Sequence, residues 1–313
     1  MFVIAGEALI DFIAAPDGRY QPFVGGAPFN FARALALQDV AAGYANPISS
    51  DNFGARLRES LISAGATALG PSVAQPTSLA LVGKSADGKP SYQFYREGVA
   101  DRALTLTQLA VYFNAQTLGF HSGGLALVPP DHAIIIAAQR HARNQGILCT
   151  LDVNMRMQVA DSMGVSPREY RDAARAAISA ADIVKVSDED LHNLGFTAPP
   201  VDAARALLND LCKVVIVTMG ASGAWGLTAA AEIFQPAEVV SVVDSVGAGD
   251  CFFAGLIAAL IRDGTIETLR AAAPSQLTLE RALRHATRCA AINITRQGCR
   301  PPTWVEAASM GSP

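Results

Sequence analysis

The 313-residue sequence predicts an α/β protein with a mainly parallel central sheet and helices on both of its faces. Three observations carry that expectation. Short apolar strand-like runs alternate with helical patterns along most of the chain. Three of those runs end in polar residues, and two further segments break the alternation as hairpins.

Taken in order, FVIAG (2–6) is a continuous apolar run closed by glycine, as a strand buried on both faces requires. LIDFIAAPDGRYQPFV (9–24) places a Pro-Asp-Gly turn between two extended runs. FNFARALALQ (29–38) spaces its apolar residues as a helix. TSLALVGKSADGKPSYQFYREG (77–98) is a second hairpin pattern, with an Ala-Asp-Gly-Lys turn and a period of two in SYQFYR. Strand candidates TLGFHSG (117–123), GILCTLDVN (146–154), DIVKVS (182–187) and KVVIVTMG (213–220) follow. The helical patterns DHAIIIAAQRHARNQ (131–145), PREYRDAARAAISA (167–180) and VDAARALLND (201–210) lie between them.

Ligands of such sheets gather at the carboxyl ends of the strands, so the tails LDVN, KVS and VTMG point to one crevice. The two hairpins stand outside the alternation and predict a small β-sheet lid, about 9–24 and 77–102. Its exposed edge would pair with a second copy, giving a homodimer through the lid; an edge extension without function is the alternative. Residues 1–313 read as a single domain without internal repeats, and EAASMGSP at the end reads as a frayed tail.

Composition narrows the function. Half the residues are hydrophobic and 17% are charged, which excludes a disordered chain. A net charge of -4 with no run of Lys or Arg argues against a nucleic-acid partner. Cys149, Cys212, Cys251, Cys289 and Cys299 form no C-x-x-C pair and are odd in number, which suits a reducing compartment rather than a disulfide framework or structural zinc. MFVIAGEALIDF has no basic leader, and the longest apolar run, 251–261, is too short for a bilayer. The expectation is a soluble cytoplasmic protein with no membrane partner.

Several motifs fail. Gly83-Lys84-Ser85 resembles the end of a P-loop, but Ser78 stands where the first glycine belongs. No G-x-G-x-x-G follows the first strand, and neither G-x-S-x-G nor H-E-x-x-H occurs. His121 reads as a hydrogen-bonded core histidine, and Asn293-Ile294-Thr295 as a chance glycosylation pattern.

DSVGAGDCFFAGL (244–256) is different. VVSVVD reads as a strand end, and Phe252, Phe253, Leu256, Ile257, Leu260 and Ile261 recur at helical spacing from a start near Gly249. A glycine-rich turn into a helix N-terminus offers free N–H groups to an anion, yet Asp250 sits at its lip. Two readings account for it. Asp250 accepts the proton of an attacking hydroxyl while the amides of Gly247, Ala248 and Gly249 hold a transferring phosphoryl group; a carboxylate of ordinary pKa, ~4, would serve. Alternatively, Asp250 caps the helix.

This stretch resembles the second signature, D-T-x-G-A-G-D, of the PfkB carbohydrate kinases, the ribokinase-like family, with Ser245 in place of threonine. VGGAPFNFARALALQ (24–38) is similar to the family's first signature, VTMGASGA (217–224) to its nucleotide loop, and RQGCRPP (296–302) to its closing segment. The resemblance implies a three-layer α/β/α fold and ATP-dependent phosphorylation of a sugar hydroxyl. It makes Asp250 the base and Gly247, Ala248 and Gly249 the anion hole. Asp11, Gly26 and Asn30 would bind sugar hydroxyls, and Ser187, Thr218, Gly220, Gly223 and Asn293 would bind ATP. The family's N-x-x-E motif for Mg²⁺ appears as Ser187-Asp188-Glu189-Asp190, leaving Glu189 or Asp190 to reach the ion, through water. Asp244, Val246, Arg296 and Gly298 match backbone loops that hold K⁺ in some relatives.

LDVNMR, KVSDED and SYQFYREGVADRAL resemble the fructokinase branch more than ribokinase, and GEALIDF points the same way. Arg96 and Arg156 would reach the sugar, with Phe94 over its apolar face. A pair of arginines also suits the carboxylate of 2-keto-3-deoxygluconate, which keeps that kinase, or another PfkB sugar kinase, as the alternative substrate reading. A non-catalytic sugar- or nucleoside-binding relative is the alternative of another class, against which an intact Asp250 speaks.

Overall fold

Every residue of the first strand, β1 (Phe2–Ile4), is buried, Phe2 and Ile4 in one apolar cluster and Val3 in another. A strand apolar on both faces belongs inside a sheet covered on both sides. The computed structural model, which describes residues 1–15, 17–84 and 90–310, has that arrangement. In chain order the strands continue as β2 (Leu9–Ala14), β3 (Tyr20–Gly25), β4 (Ala42–Tyr44), β5 (Ile48–Ser49), β6 (Thr67–Ala68), β7 (Ser72–Val73) and β8 (Ser78–Lys84). Then come β9 (Pro90–Tyr95), β10 (Gly119–Gly123), β11 (Leu148–Asp152), β12 (Ile183–Ser187), β13 (Val214–Thr218), β14 (Ala224–Leu227) and β15 (Glu232–Gln235).

Among the described residues, nine strands form the main sheet in the order β15-β14-β13-β12-β11-β10-β1-β4-β6. It is parallel from β13 to β6 and antiparallel at β14 and β15. The five strand candidates of the main sheet fall on β1, β10, β11, β12 and β13, each trimmed by a residue or more at its ends.

The helices are α1 (Ala27–Leu37), α2 (Asn52–Ser63), α3 (Leu106–Ala110), α4 (His132–Asn144), α5 (Met157–Ser162) and α6 (Pro167–Ile178). They end with α7 (Asp188–Asn193), α8 (Pro200–Arg205), α9 (Ala248–Arg262), α10 (Gln276–Ile294) and α11 (Trp304–Ser309). Helices α4, α6, α7 and α8 share one cluster with Val3, Phe120, Leu151, Val184 and Val217. Helices α1, α2, α9 and α10 share the other with Phe2, Ile4, Leu148, Ile183 and Ile216. Alternate strand residues therefore feed two helical layers, which makes three layers in all.

Helices α2 and α10 have no counterpart among the expected elements, although Leu279, Ala282, Leu283 and Ala286 of α10 are buried at helical spacing. The expected frayed tail is instead α11 as far as Ser309, opened by a capping box between Thr303 and Glu306. Its last residues, 311–313, lie outside the described residues.

The two hairpins make a separate four-stranded sheet, β3-β2-β8-β9. β2 pairs antiparallel with β3, β8 antiparallel with β9, and β2 joins β8 in parallel. The tip expected as an Ala-Asp-Gly-Lys turn falls on 85–89, outside the described residues, as does Pro16 of the other turn. Register places Phe23, Asp11, Ala80 and Phe94 side by side across this sheet.

Phe31 of α1 joins the layers: its ring stacks on His121 of β10 at 3.6 Å and lies 5.8 Å from Phe253 of α9. Phe31→Ala removes a fully buried ring shared by three elements, so it should cost about 3–5 kcal/mol of stability. Calorimetry showing an unchanged melting temperature would mean that α1 does not depend on this contact.

Candidate active site

β1 and β10 lie side by side, but the chain continues from them toward opposite edges of the sheet, which opens a crevice at their carboxyl ends. Glu7, just past β1, sits in that opening. Its Oε1 accepts the Ala27 N–H at the start of α1 (3.0 Å), and its Oε2 accepts the Leu125 N–H beyond β10 (3.1 Å). Burial pushes its pKa up to about 7 against the pull of Arg96. The expectations above assign Glu7 no role in the site; only the divergence of β1 and β10 turns it into a clamp.

The N-terminus of α9 forms the opposite wall. Gly247 stands at its N-cap with φ 74°, a left-handed conformation that favours glycine, and no side chain caps the helix. A side chain at Gly247 would also strike Cys299. The first amides of a 15-residue helix therefore face the crevice.

Asp250 is the third residue of α9 rather than its cap, so the capping alternative does not hold. Its Oδ2 accepts from Asn30 Nδ2 at 3.0 Å, while Asn30 Oδ1 is buried without a partner. Burial, reinforced by Asp152, raises the Asp250 pKa to about 7, although Asn30, Lys185 and Arg156 pull it down. The expectation of an ordinary carboxylate is corrected: Asp250 lies deeper than a turn residue at the surface would.

One cavity of about 320 Å³ brings together Asp11, Gly26, Asn30, Phe94, Arg156, Gly247, Ala248, Gly249 and Asp250. The Asp11 carboxylate lies over Gly25, where a Cβ would collide with it, and Gly26 (φ 105°) has no room for one against the Glu7 carbonyl. Burial lifts the Asp11 pKa to about 6 in spite of Arg156. Asp152 and Lys185 also line this cavity, Lys185 Nζ standing 2.9 Å from both Asp152 oxygens.

A second cavity of about 480 Å³ is lined by Thr218, Gly220 and Gly223 with Val239, Val240, Val242 and Phe252. Ser245, Ala248 and Gly249 line both cavities, so the α9 N-terminus is their common wall. VVSVVD is not a strand end. The Val243 and Asp244 N–H groups donate to the Ile294 carbonyl of α10, which leaves the valines free to border the second cavity.

Five of the residues expected to serve sugar, nucleotide or magnesium do not meet these cavities. Arg96 lies beyond the end of β9, where alternation no longer governs direction; its buried guanidinium donates to Asp101 at 2.7 Å. Its convergence with Arg156 is corrected accordingly. Ser187 caps α7. Asp190 is committed as well: Oδ2 accepts from the Ser187 N–H and hydroxyl, and Oδ1 from the Met155 N–H. Glu189 is exposed and lines neither cavity. Asn293 is buried behind the site, where its Nδ2 donates to the Val246 carbonyl and its Oδ1 accepts from Arg300.

The 244–246 and 296–298 loops do come together. Asp244 accepts the Val246 N–H at 3.0 Å through Oδ1 and the Gly298 N–H at 2.9 Å through Oδ2. Arg296 turns its side chain to Glu306 instead. Among the described residues, no three His, Cys, Asp or Glu side chains are grouped to hold a metal ion.

Comparison with known proteins points to one family. The profile of the pfkB family carbohydrate kinases matches residues 1–306. The fructokinase of Rhizobium leguminosarum bv. trifolii is 33% identical over 275 residues, covering 85% of this chain and 81% of that one. Fructokinase-1 of Oryza sativa subsp. japonica is 31% identical over 325 residues, 99% of this chain and 97% of its own. Among solved structures, a fructokinase with bound ATP from Xylella fastidiosa has a TM-score of 0.87 at 28% identity, covering 98% of this chain and 97% of that one.

The two arginines should separate in stability. Arg96→Ala leaves Asp101 buried without its cation and should cost about 3–5 kcal/mol. Arg156, exposed at the cavity edge, should cost within about 0.5 kcal/mol when replaced by Ala. Equal losses in urea unfolding would contradict the burial described for Arg96.

Proposed function

The chain belongs to the pfkB family of carbohydrate kinases, and from that premise we propose that it transfers the γ-phosphoryl group of ATP to a hydroxyl of fructose. Membership makes it a phosphotransferase acting on a carbohydrate. The observation that carries the fructose reading is the polarity of the first cavity. Asp11, Asp250 and the unpartnered Oδ1 of Asn30 offer acceptors to neutral hydroxyls. Of the cations that line it, Lys185 is bound to Asp152, which leaves Arg156. With Arg96 held by Asp101, the arginine pair that would favour a substrate carboxylate is missing. The names of the curated relatives, fructokinases, support the same substrate.

In this reading the sugar occupies the first cavity and ATP the second. The valines of 239–242 border its base, and its phosphates reach the shared wall at Ser245, Ala248 and Gly249. Asp250 takes the proton of the attacking hydroxyl, whose oxygen bonds to the γ-phosphorus. The bond from that phosphorus to the β–γ bridging oxygen breaks and ADP leaves. The α9 amides stabilise the charge on the transferring group.

Directly ligated magnesium does not fit Ser187–Asp190, because both Asp190 oxygens already accept hydrogen bonds and Glu189 lines neither cavity. Magnesium brought in on ATP phosphates needs no such ligands. A monovalent cation remains the reading for the 244–246 and 296–298 loops, which Asp244 ties together through the Val246 and Gly298 N–H groups.

The small sheet covers the sugar through Leu9, Asp11, Ile13 and Phe94. Half-exposed Tyr20 and Tyr95 at its margins support a homodimer through the lid. Five buried free cysteines support a reducing, cytoplasmic location. Among the described residues, no helix is long and apolar enough to cross a membrane.

ADP release should be fastest with fructose in a panel containing ribose, 2-keto-3-deoxygluconate and adenosine. Preference for the keto acid would overturn the substrate assignment, and no release with any of them would favour a binding protein. Asp250→Asn should lower kcat about 10²–10⁴-fold while sugar binding by calorimetry persists. Because the base must be ionised and its pKa is raised to about 7, wild-type kcat/KM should climb as pH rises through about 7. A flat profile from pH 5 to 8 would remove Asp250 from that role.

A further inference from the structure

Lys185 and Asp152 belong to none of the four motifs, yet they occupy the floor of the sugar cavity. They are direct register partners on neighbouring parallel strands β11 and β12. Both side chains are more than nine-tenths buried, and the ammonium stands 2.9 Å from each carboxylate oxygen. Directly above lies Gly249 of α9. Its backbone is not left-handed, so conformation does not call for glycine there. Space is tight there instead: a Cβ at 249 would stand 3.1 Å from Lys185 Nζ, so the ammonium would have to give by a few tenths of an ångström. The ammonium is thus packed under the first turn of α9, next to Asp250.

We infer that Lys185, clamped by Asp152 beneath this turn, is a positioning residue that sets the charge state of Asp250. The inference rests on the reading of Asp250 as the base. Its mechanism is Coulombic: a fixed cation favours the ionised carboxylate, and the anion that fixes it disfavours it.

The charged and titratable groups around Asp250 are few. Asp152 comes from β11, Lys185 from β12, and Arg156 from the loop after β11. Glu7 and Asp11 line the same cavity after β1 and on β2, Asn30 of α1 donates to Asp250, and the Cys251 thiol follows on α9. His121 of β10 lies close enough to feel Lys185 and is held neutral, by burial first and then by that cation. Burial alone would lower the pKa of Lys185, but Asp152, Asp190 and Asp250 outweigh it and keep the ammonium charged. On Asp250 itself, Asp152 acts upward and Lys185 downward.

That opposition supplies the test. Lys185→Gln and Asp152→Asn break the same ion pair, so structural damage from either would look alike. Their charge effects on Asp250 are opposite. The carboxyl of Asp250 can be titrated by ¹³C NMR in the sugar-free, nucleotide-free protein, its signal assigned by its loss in Asp250→Asn. Lys185→Gln should move the titration up by roughly 1–2 pH units and Asp152→Asn should move it down, with Lys185→Arg close to wild type. The rising limb of kcat/KM should follow each shift. Movement in the same direction for both variants, or none in either, overturns the inference. Should Lys185→Gln fail to fold by circular dichroism, the isosteric Asp152→Asn decides, since absence of a downward shift is equally fatal. Opposite shifts in a protein that turns over no sugar would uphold this inference and sink the fructose reading instead.

Discussion

The crevice is governed by the cost of holding carboxylates where water has been removed. Glu7, Asp11, Asp152 and Asp250 line one cavity, and each must be protonated, hydrogen-bonded or paired. The solutions differ. Asp152 has Lys185, Glu7 has two backbone amides, and Asp250 has the amide of Asn30. Raised pKa values remain on Glu7, Asp11 and Asp250, at about 7, about 6 and about 7, and all three line the cavity. A group poised near neutrality can change its proton during a reaction, whereas a fully satisfied carboxylate cannot do so cheaply.

The helical layer on one side of the sheet exists in part to bring α9 to that place. Helix α1 packs beside α9 through Phe31 and Phe253, and the same α1 carries Asn30 to Asp250. Glu7 fastens the start of α1 to the end of β1, so the sheet, α1 and α9 locate the carboxylate together. Behind the site, Asp244 and Asn293 bind the loops before α9 and after α10. The α9 amides then divide the crevice into a polar side and a side bordered by exposed valines.

Arg96 shows how a sound local pattern misleads. SYQFYR alternates, and Phe94 does face the cavity on β9. The ladder ends at Tyr95, and one residue later the chain has turned toward Asp101, which takes the guanidinium. Asp190 is a similar case. As the third residue of α7 it closes a capping box with Ser187, and its second oxygen reaches Met155, so a position that looks available in sequence is spent on the backbone.

Periodicity determined the layers. Apolar runs with both faces buried, alternating with amphipathic helices, admit a covered parallel sheet, and hairpin turns outside that alternation admit a separate small sheet. Glycine pattern determined the turn that opens α9, because Gly247 needs a left-handed backbone that few other residues adopt. These are local properties of the chain, and the sequence carries them whole. What the tertiary structure decided is which polar residues remain available. Whether Asp250 is ordinary or poised, whether Arg96 reaches the cavity, and whether Lys185 lies under Gly249 depend on partners far away in sequence. Desolvation and pairing arise only when strands β1, β10, β11 and β12 set their ends side by side, and no local pattern records that distance.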